Sequence, residues 1–197
     1  MKTARRLRRL ELLLLVAGSL GRAGCATRVL SGPPSPDPSR LLSILASGRF
    51  IGPTQYKDAF ELSDNGDQGF TALIFVRGRL AQRIRIQGPR AAALRDALDR
   101  LDLPDIDWPA RISHPQGVDH IVLVPDGWGN RVEYNYGGRH ISFEYGNLGP
   151  YLAGYSADPV LGRMYSLFVA IADAIGPSIR GSDGPPRERA LRKMYLK

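Results

Sequence analysis

The chain has 197 residues and one cysteine, so it holds one domain or two small ones and no intramolecular disulfide. Its formal net charge is +8, but the excess sits at the ends: Lys2, Arg5, Arg6, Arg8, Arg9 and Arg22 near the start, and Arg180, Arg187, Arg189, Arg192, Lys193 and Lys197 near the finish. Between residues 25 and 179 cations and carboxylates nearly balance, which excludes a basic face that neutralises phosphates and, with it, nucleic acid as the expected partner.

The first 24 residues read as a leader. A basic flank is followed by an apolar stretch from Leu12 to Leu20 and then by small residues. That is the three-part pattern of an export signal. The apolar stretch is well short of the roughly 20 residues that span a bilayer as a helix. Ala23-Gly24-Cys25 resembles the lipobox of bacterial lipoproteins, with Arg22 standing where that motif has an aliphatic residue. The resemblance implies that residues 1–24 are removed, that Cys25 is lipidated, and that the protein is held at the bacterial cell envelope, facing the periplasm or the cell surface. Each buried acyl methylene would add about 0.8 kcal/mol of membrane affinity. A cut by an ordinary signal peptidase after Ala26 is the competing expectation.

Residues 25–38 form a tether. Pro33, Pro34, Pro36 and Pro38 favour an extended, solvated backbone. Leu41, Leu42, Ile44 and Leu45 lie at helical spacing, with Ser39 as N-cap and Gly48 as stop, so the spacing predicts a helix over 39–46. Strands are expected at 56–63, 70–76 and 80–87, separated by the Asp64-Asn65-Gly66-Asp67 turn and by Arg77-Gly78. Gly88-Pro89 opens a helix to about Leu101, with Leu94, Ala97, Leu98 and Leu101 as its buried stripe and Asp96–Arg100 as a surface pair.

A short strand is expected from His120 to Val124. Residues 131–136 and 139–145 flank Gly137-Gly138 and form the clearest hairpin, with a two-residue loop suited to a type I′ turn. Asp158 as N-cap and Pro159 at the first helical position start a last helix, whose apolar face runs from Val160 to Ile175. Residues 180–197 are expected to be a largely unstructured basic tail, with Arg187 to Lys197 able to form a short helix. The expected order is helix, three strands, helix, three strands, helix. Turn residues recur at an offset near 60, as from a faint duplication or from two meanders using the same turn chemistry. Either way the class is α+β: an antiparallel sheet of about six strands in two three-stranded meanders, with helices packed on one face and residues 39–179 as one domain.

The hairpin register puts Arg131, Glu133, Asn135, His140, Ser142 and Glu144 on one face. A histidine beside carboxylates and a serine suits general acid–base work, with Glu133, His140 and Glu144 as the group to examine. The competing reading is a solvated sheet face laced with ordinary cross-strand pairs. Aromatic residues cluster between 128 and 155, and Trp128, Tyr136, Tyr151 and Tyr155 are the candidate contacts for a ligand or partner. The histidines His114, His120 and His140 share no metal-ligand spacing, so no metal is expected. There is no Gly-x-Ser-x-Gly elbow, phosphate-binding Gly-Lys-Ser/Thr loop or dinucleotide fingerprint, and no cofactor is expected.

The sequence therefore leads to an exported, envelope-anchored domain with a binding or structural role. Its expected partners are a membrane, through the N-terminal lipid, and an unidentified protein or small-molecule ligand. An envelope hydrolase using the hairpin face around His140 is the alternative. A basic cytosolic protein would require residues 1–24 to be retained.

Overall fold

A computed structural model describes residues 40–47, 56–120, 122, 129–181 and 184–194. The leader, Cys25, the proline tether, Trp128 and most of the expected 120–124 strand lie outside the described residues.

The architecture is α+β. Six strands form one antiparallel sheet in the order β4-β3-β2-β1-β5-β6. They are β1 (Arg40–Ser47), β2 (Tyr56–Asp64), β3 (Phe70–Val76), β4 (Arg79–Ile86), β5 (Gly129–Tyr136) and β6 (Arg139–Gly146). Five helices are described: α1 (Pro89–Arg100), α2 (Trp108–Ser113), α3 (Leu148–Gly154), α4 (Leu161–Ile175) and α5 (Pro186–Met194).

The segment expected as the first helix is β1, at the centre of the sheet. It pairs antiparallel with β2 on one side and β5 on the other. Leu42, Ile44 and Ala46 are fully buried on the face covered by helices, and Ser43 and Leu45 are buried on the other. A strand buried on both faces needs a nearly continuous apolar run, and such a run also satisfies helical spacing. Hydrogen bonding to two neighbours decides the outcome. The three strands β2, β3 and β4 follow the expected boundaries closely, and β1 completes the second triplet with β5 and β6.

The hairpin forms in the expected register, with Tyr136 opposite Arg139, Asn135 opposite His140, Glu133 opposite Ser142 and Arg131 opposite Glu144. Gly137 and Gly138 both have positive φ, 59° and 78°, as a type I′ turn requires.

The helices lie on one face of this sheet. Ala91, Leu94 and Leu98 of α1 are buried, and α4 buries a broad apolar face from Leu161 to Ile175. α4 begins at Leu161 with Val160 at its N-cap, two residues later than expected, and Asp158 in the turn before it accepts from the amides of Val160 at 2.8 Å and Leu161 at 3.0 Å. Two short helices were not expected. Asp107 caps α2, accepting from the Ala110 amide at 3.0 Å, and Trp108 stacks on Phe143 of β6 with centroids 5.8 Å apart. The long connection after β6 contains α3, whose Leu148 amide donates to the buried Asn130 side chain at 3.1 Å. Within the basic tail, α5 buries Ala190 and Met194 and is joined to α4 by a bidentate Arg187–Asp173 pair. The short helix expected within the tail is thus present, one turn of it carrying both buried apolar side chains, Ala190 and Met194, at i and i+4.

Candidate functional site

On the exposed side of the β5–β6 hairpin, alternation brings the expected polar residues onto one face. The two glutamates converge on Arg131: its guanidinium lies 3.1 Å from Glu133 and 3.8 Å from Glu144. His140 instead meets Asn135, with Nδ1 2.6 Å from Asn135 Oδ1. The Asn135 Nδ2 group donates to the Arg40 carbonyl at 3.3 Å, which fixes Oδ1 as the acceptor and makes His140 Nδ1–H the donor. In the neutral ring Nε2 is then an acceptor.

The candidate aromatics fall into two groups. Tyr136 stands beside the hairpin turn and donates to Asp99 of α1 at 2.5 Å. Burial, with this hydrogen bond and the charge of Asp99, pushes the Tyr136 phenol up to about 12. Nearby, Arg95 makes a bidentate pair with Asp64, both contacts at 3.0 Å, and its guanidinium stacks 4.9 Å over the Phe70 ring. That corner joins α1 to the sheet.

Tyr151 and Tyr155 lie at the far end of the hairpin. Tyr145 meets Tyr151 edge-on at 5.4 Å, and Tyr151 meets Tyr155 at 5.8 Å. The His120 ring is 6.2 Å from Tyr155, and its Nε2–H donates to the Gly154 carbonyl at 3.1 Å. Tyr155 is buried, and its hydroxyl accepts from the Val122 amide at 3.0 Å. Tyr145 and Tyr151 are half-buried and present the accessible part of this cluster. Tyr145 belongs to the same aromatic-rich stretch of sequence, and its distance from Tyr136 along β5–β6 separates the two groups.

A cavity of about 480 Å³ opens beside the start of β6, lined by Asp102, Leu103, Pro104, Asp105, Gly138, Arg139, His140 and Ile141. Arg139 lies 2.5 Å from the Asp102 carboxylate and also donates to the Leu103 carbonyl. Arg163 of α4 donates to the Asp102 carbonyl at 2.8 Å and stands 3.9 Å from its carboxylate. Asp102 and Asp105 were not among the expected site residues. They lie over thirty residues from His140 in sequence, and only the fold brings them together.

Behind the tyrosine cluster, Asp158 is wholly buried and pairs with Arg111 of α2 at 2.9 Å. It also accepts from the Gln116 amide at 2.7 Å. Burial alone would raise its carboxyl, but the hydrogen bonds from Gln116, Leu161, Val160 and Arg111 outweigh that and hold it below its ordinary value of 3.8.

Among the described residues, no group of three His, Cys, Asp or Glu could hold a metal ion, and no helix is long and apolar enough to cross a membrane. The fold and these sites define an open-sheet α+β protein with a polar cavity at one edge and an aromatic cluster at one end. No protein-family model matches the chain, and no curated protein matches it in sequence.

Proposed function

We propose that this chain is an exported lipoprotein, anchored at the bacterial envelope through Cys25, whose α+β domain has a non-catalytic binding or structural role. The observation that carries the address is the run from Lys2 to Cys25: basic flank, short apolar stretch, then Ala23-Gly24-Cys25. The proline tether that follows would hold the domain clear of a lipid surface. The binding role is supported by half-buried tyrosines beside the hairpin and by the polar cavity at its turn. The hydrolase alternative draws no support from the pairing around His140, since Glu133 and Glu144 both engage Arg131 while the histidine engages Asn135.

Substituting Cys25→Ser tests the anchor. The wild-type chain is expected in the membrane fraction and the variant in the soluble fraction. Equal partitioning of the two would refute a lipid held at Cys25.

A further inference from the structure

We propose that the outer edge of β4 binds an extended acidic segment of a partner protein, which pairs with it as an added strand. This rests on the binding role put forward above, gives it a surface and a partner chemistry, and does not depend on the lipid anchor.

Charge is unevenly spread over the sheet. Residues 25–179 are nearly neutral as a whole, yet residues 68–95 hold six arginines and no Asp or Glu. Arg95 is paired with Asp64, and Arg90 donates to the Ala174 carbonyl and to Ser178 Oγ. The side chains of Arg77, Arg79, Arg83 and Arg85 are exposed and have no hydrogen-bond or ion-pair partner among the described residues. The neighbouring β3 carries no carboxylate, and the three on β2 are engaged: Asp58 accepts from the Arg77 amide at 2.6 Å, Glu61 lies 3.5 Å from Arg40, and Asp64 holds Arg95.

These arginines stand on a sheet edge. β4 pairs with β3 on one side, and among the described residues no backbone bond is made on the other. Such an edge presents unpaired N–H and C=O groups in a row, which an added strand satisfies and a lipid surface does not. Ile84 and Ile86 are buried in the core, so Arg83, opposite Leu73, and Arg85, opposite Thr71, lie on the face away from the helices. Leu80, opposite Phe75, is on that same face and 48% exposed. The complement of this edge is a strand with carboxylates at two alternate positions, beside Arg85 and Arg83, and an apolar side chain beside Leu80. A second copy of β4 is the wrong occupant, because it would set arginine against arginine.

The probe is the peptide acetyl-Thr-Glu-Thr-Glu-Thr-Val-Thr-amide with a zwitterionic fluorophore, titrated into the full chain in detergent solution at neutral pH and followed by anisotropy. Saturable binding is expected. Each exposed ion pair contributes up to about fivefold, so the double variant Arg83→Gln/Arg85→Gln is expected to bind about tenfold more weakly. The same peptide N-methylated at alternate residues keeps its carboxylates but loses the amide hydrogens that face the edge, and is expected to lose saturable binding. Lys193→Gln/Lys197→Gln, which removes two charges from the basic tail, is expected to bind as the wild type does. Absence of saturable binding, equal affinity in the double arginine variant, or equal affinity of the N-methylated peptide would overturn the proposal. So would co-sedimentation with phosphatidylglycerol vesicles that needs Arg83 and Arg85 while the peptide fails to bind, which would make the edge a lipid contact. Cys25→Ser is expected to bind the peptide unchanged, so failure here and failure of the lipoprotein reading are separable.

Discussion

The Arg111 guanidinium lies 2.9 Å from the carboxylate of Asp158, and the Asp158 side chain has no exposed surface. This pair ties α2 to the start of α4, and the same carboxylate accepts from the amides of Val160 and Leu161 there. Removing one member of a buried pair leaves the other charge uncompensated, at a cost of about 3–5 kcal/mol. Asp158→Ala is therefore expected to lower the urea midpoint of unfolding sharply. Arg111→Ala is expected to lower it less, because the backbone amides still compensate the carboxylate.

The same carboxylate gives an acid dependence of known sign. Its folded value is below 3.8, so the unfolded chain takes up the proton first as pH falls. The stability it contributes is present above the unfolded value and is lost as pH falls through the folded one. Urea unfolding of the wild type between pH 5 and pH 2 is expected to include this loss. Asp158→Asn, with no carboxyl to titrate, is expected to have a shallower slope over that range; an unchanged slope would remove Asp158 from the account of acid sensitivity.

Gly69 lies between the turn and β3 with φ of 85°, and a Cβ built there would sit 2.2 Å from the Ile86 carbonyl oxygen. That contact is with backbone of the edge strand, which cannot move without breaking its pairing to β3. Gly69→Ala is expected to destabilise by about 2–4 kcal/mol. Gly66→Ala, at φ of 62° with open space around the new methyl, is expected to cost only about 1–2 kcal/mol. Thermal unfolding of the two variants side by side tests the difference, which disappears if the β3–β4 edge is not packed as described.

Burial pushes the phenols of both Tyr134 and Tyr136 up to about 12, aided at Tyr136 by its hydrogen bond to Asp99. A raised phenol favours the neutral form in the folded state. Its contribution is fully present below the unfolded value near 10 and is lost as pH rises from there through about 12. Alkaline titration followed by ultraviolet absorbance is expected to show a late-ionising fraction, still un-ionised at pH 11 while the protein remains folded, to which Tyr134 and Tyr136 contribute. Tyr136→Phe is expected to reduce that fraction by one phenol and to destabilise by about 0.5–1.5 kcal/mol. A late-ionising fraction unchanged in Tyr136→Phe would contradict the Tyr136–Asp99 bond.

The parts of this structure legible in the sequence are those set by local chemistry. Gly137-Gly138 fixes the hairpin turn and with it every cross-strand pair on β5 and β6. Asp158-Pro159 marks the turn that leads into α4, which starts at Leu161. The first strand was not legible, because Leu41 to Ala46 fits a helical face and a doubly buried strand equally, and only pairing with β2 and β5 chooses between them. Helices α2 and α3, of six and seven residues, are too short for a periodic signal. Tyr136 and Tyr151 are close in sequence but stand at opposite ends of the hairpin. Asp105 and His140 are far apart in sequence but line one cavity, and no spacing rule reaches across that distance.

The lipid anchor is the most direct point at which the functional account can fail. Intact-mass analysis of the protein recovered from the membrane fraction tests it. The expected species is a chain that begins at Cys25, lacks residues 1–24 and carries the mass of added acyl chains on that residue. Recovery of a chain that retains residues 1–24, or of an unmodified one beginning at Thr27, would contradict it.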